Sequence, residues 1–291
     1  MTEFCRIELE HPVINASGCF DVLAALEVFG EQLIARFPFA AYVSKTVTLA
    51  PRAGNAPPRL WESAGGMLNS IGLPNPGIDG YLEQHLPVYA GLGVPLITNV
   101  MGSTEGEFAE LVERVAERDE VAAIELNVSC PNVATGLDIG ADPEGVLSLL
   151  AVLRPLTRKP LIVKLTPNAA DVALCAAAAE EGGADAVSLI NTLRAMALTP
   201  GQPGRPWLGG RTGGMSGPAI RAVALAQVWS VAQRVSIPVV GMGGVTSGSD
   251  AAALLEAGAR LVAVGTESFR DPAAGGRIAA ELATKFAENA A

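Results

Sequence analysis

The 291 residues carry 20 Lys and Arg against 30 Asp and Glu, a formal net charge of −10. So acidic a chain is a poor partner for nucleic-acid phosphates or an anionic membrane surface, both of which recruit basic proteins. Apolar residues make up 49%, enough for a sizeable core, yet no apolar run reaches the ~20 residues of a membrane helix.

Short apolar runs recur along the chain, each ending on a polar residue or a glycine. In order, they predict strands at residues 12–15, 41–44, 95–98, 121–126, 160–163, 186–190, 238–240 and 261–264. These close on Ala16-Ser17-Gly18, Lys45-Thr46, Asn99, Asn127, Lys164, Asn191-Thr192, Gly243-Gly244 and Gly265-Thr266. Helical patterns fall between them at 104–117, 142–153, 168–181, 217–235, 247–257 and 272–287. Strands covered on both faces lose their polar alternation. Eight continuous apolar runs alternating with helices therefore predict an α/β fold, a single (β/α)8 TIM barrel over residues 1–291. Insertions at about 48–80 and 197–217 follow strands two and six, which puts both over the C-terminal face of the barrel.

The first residues, Met1 to Arg6, show no signal-peptide pattern, and Cys5, Cys19, Cys130 and Cys175 show no CxxC spacing. A reducing cytoplasm is the expectation, with no metal site and no disulfide framework. His11 and His85 lie apart from the polar strand ends, which argues against a His-based triad. Cys175 and Trp229 are expected in helix cores, Cys5 in an N-terminal strand at the barrel floor, and Cys19 in a packing role. Trp61 and Trp207 fall in the two insertions and are expected at the mouth or an interface.

Cys130 differs from the other thiols. It comes just past the end of a buried strand, and Pro131 biases Ser129-Cys130 away from helix, so it belongs on a loop at the strand's C-terminal end. A thiol there is a candidate base or nucleophile; the competing reading is a small buried hydrophobe. Lys45, Asn99, Asn127, Lys164 and Asn191 gather on the same face. A solvated surface charge is the ordinary fate of lysine, but both lysines directly follow buried strands. Two cations and three amides suit a planar, anionic, hydrogen-bonding ligand. Gly243-Gly244, Gly265-Thr266 and the segment from Gly213 to Gly217 add backbone N–H groups where barrels bind phosphate. Such glycines also serve close packing. FMN fits this set better than a nicotinamide, because no GxGxxG follows an early strand.

The segments ELNVSCPN (125–132), VKLTPN (163–168), INTL (190–193), GGMSGPAI (213–220), GMGGV (241–245) and VGT (264–266) resemble class 1 dihydroorotate dehydrogenase. So do NASG (15–18), SKT (44–46) and MLNSIGLPN (67–75), and the likeness runs in order along essentially the whole chain. The resemblance implies FMN-dependent oxidation of (S)-dihydroorotate to orotate in pyrimidine synthesis. Cys130 would take the C5 proton and flavin N5 the hydride from C6. Lys45 and Lys164 would stabilise charge developing on the substrate and on the reduced ring. Lys45, Asn69, Gly72, Leu73, Asn127, Asn132, Asn191 and Thr192 would hold the pyrimidine and its carboxylate. Ala16, Ser17, Lys45, Thr46, Asn99, Asn127, Lys164, Ile190, Ser216, Gly217, Gly243, Gly244, Gly265 and Thr266 would hold FMN.

Within the class, residues 139–144 and the Gly213 segment look most like type 1B. That implies a homodimer joined to a second subunit carrying FAD and a 2Fe–2S cluster, in a heterotetramer that reduces NAD. This chain has no run of cluster ligands, so any such cluster belongs to a partner. The alternatives are a type 1A homodimer that reduces fumarate, a dihydropyrimidine dehydrogenase-like activity, and a dihydrouridine synthase, which the acidic charge disfavours. A barrel that only binds a phosphorylated ligand is the non-enzyme alternative. Two departures from the family pattern stand near the lid: Arg194-Ala195, where an apolar residue and glycine are usual, and Gly210, where asparagine is common.

Overall fold

Eight parallel strands form one sheet in the computed structural model, which describes residues 1–128 and 139–290. They are β1 (Val13–Asn15), β2 (Tyr42–Val43), β3 (Leu96–Val100), β4 (Val121–Asn127), β5 (Leu161–Lys164), β6 (Ala186–Leu189), β7 (Val239–Met242) and β8 (Leu261–Val264). Pairing runs in sequence order from β2 to β8 and then from β8 to β1. One seam, β1 to β2, has no continuous ladder. There Ala40 N–H donates to Val13 O at 3.0 Å. The fully buried Asn15 carboxamide supplies two more bonds, donating to Val43 O and accepting from Val43 N–H, both at 2.8 Å. A side-chain amide thus stands in for a peptide and closes a (β/α)8 TIM barrel. The predicted strands agree with the observed ones to within two residues at each end.

Inside the barrel, Ile14, Ala41, Ile97, Ala123, Ile162, Ala186, Val240 and Leu261 pack with Phe4 and Leu9. The last two come from an antiparallel hairpin, Thr2–Phe4 with Ile7–Leu9, that plugs the N-terminal end. Cys5 is not in a strand, as the sequence suggested, but in the hairpin turn. Both turn residues, Cys5 and Arg6, are left-handed (φ 49° and 66°), and the thiol donates to Asp185 O at 3.4 Å. Each buried aliphatic side chain contributes about 1.5–3 kcal/mol.

Helices Glu105–Ala116, Pro143–Leu153, Val172–Glu181, Arg221–Ala232, Gly248–Glu256 and Ala274–Ala290 surround the strands. Thr104, Asp142, Asp171 and Ser247 cap the first, second, third and fifth by accepting from backbone N–H groups. The helix expected from 168 starts at Val172 because Asp171 takes the cap, bonding Ala173 N–H and Leu174 N–H. The helix expected from 217 opens as a 3-10 turn, Pro218–Ile220. Trp229 is a correction: it is 58% exposed, since Ala224, Val228 and Val231 form the buried face of its helix. Helices Val22–Phe29 and Glu31–Ala35, and the helical stretch from Gly77 to Ala90, had no sequence prediction.

The two insertions meet. Hairpin Leu60–Ser63 and Gly66–Asn69, from the first, joins Gly213–Ser216 and Leu193–Ala195 in one antiparallel sheet. Trp61 and Trp207 pack edge to face beside it (5.1 Å between centroids), and Trp207 Nε1 donates to Leu60 O at 3.0 Å.

Candidate active site

A cavity of about 470 Å³ lies between the C-terminal ends of the barrel strands and this small sheet, within the size range of cofactor sites. Ala16 and Ser17 reach it from the end of β1, Lys45 and Thr46 from β2, Asn127 from β4, and Lys164 from β5. Ile190, Asn191 and Thr192 follow β6, Gly243 and Gly244 follow β7, and Gly265 and Thr266 follow β8. Asn69, Leu73, Ser216 and Gly217 come from the insertions. The fold therefore brings seventeen of the predicted residues onto one wall system.

Two predicted residues do not line the cavity, and two lie outside the described residues. Asn99 is fully buried one layer beneath the wall, level with Glu125 in the strand register and two residues below the level of Asn127. Gly72 serves the turn instead: its φ is +76°, and a Cβ there would meet Asn55 N at 2.5 Å. It aims Leu73, itself left-handed at φ 54°, toward the cavity, and Asn75 Nδ2 holds Leu73 O at 2.8 Å. Cys130 and Asn132 lie outside the described residues.

The wall's polar groups are fixed from behind. Ser17 donates to Ser44 O at 2.8 Å, and Thr266 Oγ1 and Ser216 Oγ share a hydrogen bond of 2.8 Å. Asn127 Nδ2 donates to Thr46 Oγ1 at 3.3 Å. Arg221 braces the β7 loop, donating to Gly244 O at 2.9 Å and Thr246 Oγ1 at 3.2 Å while paired to Asp250 at 2.8 Å. Thr192 fits against the lid only because Gly214 lacks a Cβ, which would sit 1.9 Å from Thr192 Oγ1.

Lys164 is buried at 5% exposure and has no ion-pair partner among the described residues. A buried ammonium without a counter-charge is costly, so an electron-rich ligand is the natural complement. Among the described residues, Asn99 Oδ1 and Asn127 Oδ1 are buried acceptors with no hydrogen-bond partner. Such groups are rare in folded proteins and point to a missing donor. One cation and one open acceptor match the pyrimidine edge of a flavin, where a single N–H stands between two C=O groups; the second acceptor is left for an N–H of a substrate. The residues present fit FMN.

Two supporting residues escaped the sequence analysis. Glu125, 4% exposed, accepts from Asn99 Nδ2 at 2.5 Å and from Ser188 Oγ at 2.7 Å. The signal was present: an acid inside an apolar run must find partners in the core. Asn168, assigned to a helix start, instead bonds Thr166 Oγ1 (2.9 Å) and Thr192 O (3.3 Å) and accepts from Arg194 N–H (2.9 Å). It ties the β5 loop to the lid. Cys19 lines the cavity, but burial raises its thiol pKa, against a smaller lowering by Lys164, which disfavours the thiolate that a base would need. The two departures are both exposed, but a Cβ at Gly210 would meet Ser70 Oγ at 2.3 Å, while Arg194 stands on its strand. Among the described residues, no cluster of His, Cys, Asp or Glu is arranged to hold a metal. No described helix is long and apolar enough to cross a membrane.

The family model for dihydroorotate dehydrogenase matches residues 1–286. The chain is 45% identical over 291 residues to "Dihydroorotate dehydrogenase B (NAD(+)), catalytic subunit" of Geobacter sulfurreducens, covering 99% of this chain and 93% of that one. Proteins of the same name from Citrifermentans bemidjiense (46% over 277 residues; 95% and 89% covered) and Pelobacter propionicus (45% over 277; 94% and 88%) are similar to a like degree. With the family model and relatives of 45% identity matching nearly its whole length, the chain belongs to the dihydroorotate dehydrogenase family.

Proposed function

We propose that this chain is the catalytic subunit of an NAD-linked, cytoplasmic dihydroorotate dehydrogenase, a single FMN-binding barrel domain over residues 1–291. The observation that carries the reading is the buried Lys164 beside its register partner Asn127, with Asn127 Oδ1 and Asn99 Oδ1 open among the described residues. Ala16, Ser17, Lys45, Thr46, Asn99, Asn127, Lys164 and Ile190 would hold the flavin ring and its linker. Ser216, Gly217, Gly243, Gly244, Gly265 and Thr266 would hold its phosphate. When bound, FMN supplies a two-electron acceptor for the hydride that leaves C6 of the substrate.

The chain's own residues do the rest. Asn69, Gly72, Leu73, Asn127, Asn132, Asn191 and Thr192 bind and orient dihydroorotate. Lys45 faces its anionic groups. Cys130, as thiolate, takes the C5 proton, and loss of that proton together with the C6 hydride forms the C5=C6 double bond of orotate. Preorganised charge at the mouth lowers the barrier because it needs no reorganisation as charge develops. A homodimer joined to a partner subunit carrying FAD and a 2Fe–2S cluster would link the oxidation to NAD.

The test compares acceptors. The chain alone, loaded with FMN, is expected to reduce a dye with dihydroorotate but to reduce NAD only when the partner subunit is added. Fumarate reduction by the chain alone at a comparable rate would instead identify a type 1A enzyme.

A further inference from the structure

One buried acid beneath the site is a group that the proposed chemistry does not use. Glu125 points into the barrel from β4, two residues before Asn127, and is 4% exposed. It has no ion-pair partner among the described residues, so it is not half of a salt bridge. Both of its oxygens are committed to neutral donors: Oε2 to Asn99 Nδ2 at 2.5 Å, and Oε1 to Ser188 Oγ at 2.7 Å.

The consequence for Asn99 is directional. A carboxylate has acceptors only, so it can face the NH2 side of an amide but not the C=O side. Asn99 is therefore held with its nitrogen toward Glu125 and its oxygen turned away. That oxygen is buried and has no partner among the described residues. The Asn99 backbone N–H is fixed as well, donating to Ser44 Oγ at 3.0 Å, so the residue has little freedom to adjust. An acceptor fixed at both ends and left open is a preorganised half of a hydrogen bond. A charged partner on the amide nitrogen also polarises the amide and makes its oxygen a better acceptor.

We propose that Glu125 is a positioning residue for the flavin: by accepting the Asn99 NH2 group, it presents Asn99 Oδ1 as a hydrogen-bond acceptor for an N–H of the bound ring. The inference rests on the FMN reading above. An oxidised isoalloxazine carries a single ring N–H, at N3, so the ligand group that meets this oxygen is specified. Glu125 touches neither substrate nor ring and acts through Asn99.

The test is FMN affinity of the apo-protein, followed by quenching of flavin fluorescence, with FMN and with 3-methyl-FMN, which lacks the N3 proton. Glu125→Leu is expected to weaken FMN binding at least tenfold. Glu125→Gln, which can still offer one oxygen to Asn99, should fall between it and the unaltered chain. With 3-methyl-FMN the Leu variant and the unaltered chain should bind equally. In an Asn99→Ala background, Glu125→Leu should cost nothing further, because the group it positions is gone. Where the Leu variant does not fold, Glu125→Asp, which keeps the charge but shortens the reach, replaces it with the same expected pattern. Equal FMN affinity in all Glu125 variants, or a loss that persists undiminished with 3-methyl-FMN or without Asn99, would overturn the inference. Failure of the unaltered chain to bind FMN would overturn the cofactor reading and the inference with it.

Discussion

The floor and the mouth of the barrel are built from the same strands and obey opposite rules. On β3, Ile97 belongs to the floor and Asn99 to the mouth; on β5, Ile162 and Lys164 divide in the same way. On β4 the change takes three steps, Ala123, Glu125, Asn127. Two residues along a strand keep the side chain on the same face and raise it by one layer. The floor layer is apolar, sealed by Phe4 and Leu9, and needs only volume. In the mouth layer, by contrast, amides, hydroxyls and a lysine are buried, and some are left without partners. The floor holds the strands together. The mouth carries a cost in stability that only a ligand offsets.

If that division holds, substitutions in the two layers should separate activity from stability. The largest effect is expected at the mouth. Cys130→Ser should lower the rate of dihydroorotate oxidation by about 10²–10⁴, the usual contribution of a positioned base, with flavin absorbance unchanged. A rate within a few-fold of the unaltered chain would remove Cys130 from the chemistry. At the floor, Phe4→Ala should cost about 3–5 kcal/mol of stability in denaturant unfolding while leaving the KM for dihydroorotate unchanged.

Intermediate effects probe the boundary. Gly210→Asn, which restores the common family residue, forces a side chain against Ser70 Oγ and should cost about 1–3 kcal/mol. A neutral result would mean that the lid shifts readily to admit it. Lys164→Met has the opposite sign. Replacing a buried, unpaired cation by an apolar chain should raise the melting temperature of the apo-protein, worth about 0.5–2 kcal/mol, while FMN affinity falls. A variant that lost both stability and affinity would show Lys164 to be structural.

The smallest effect concerns the floor plug. The Cys5 thiol is pushed up from 9.0 to about 12, chiefly by burial, with Asp185 adding to the rise and Arg6 opposing it. The folded chain thus favours the neutral thiol. That contribution is fully present below pH 9 and is lost as pH rises toward 12, so stability should decline across that interval. Cys5→Ala should flatten the decline in a series of thermal melts.

Much of this was legible in the sequence, for a physical reason. Parallel strands covered on both faces read as continuous apolar runs, and the first polar residue after each run marks the mouth. That signal locates Lys45, Asn127, Lys164 and Asn191. Where an element is held by context instead, local pattern falls short. Strand Gly66–Asn69 is flanked on one side by its hairpin partner Leu60–Ser63 and on the other by Gly213–Ser216, far along the chain, so the segment read as loop. Trp229 looked like core because its helix is apolar nearly all round, and only the packing shows which face is buried. Asn15 stood in a recognised motif, yet its service as a peptide across the β1–β2 seam depends on which strand lies opposite. Glu125 depends on Asn99 and Ser188, 26 and 63 residues away.

The central claim is that the mouth layer binds FMN and delivers dihydroorotate to it. An anaerobic visible spectrum of the purified chain, reconstituted with FMN and then given dihydroorotate, tests it in one experiment. The account predicts a bound flavin band that bleaches on addition of substrate. A band that persists would contradict the assignment of dihydroorotate as the reductant, and FMN that remains free in solution would contradict the cavity's assignment to the cofactor.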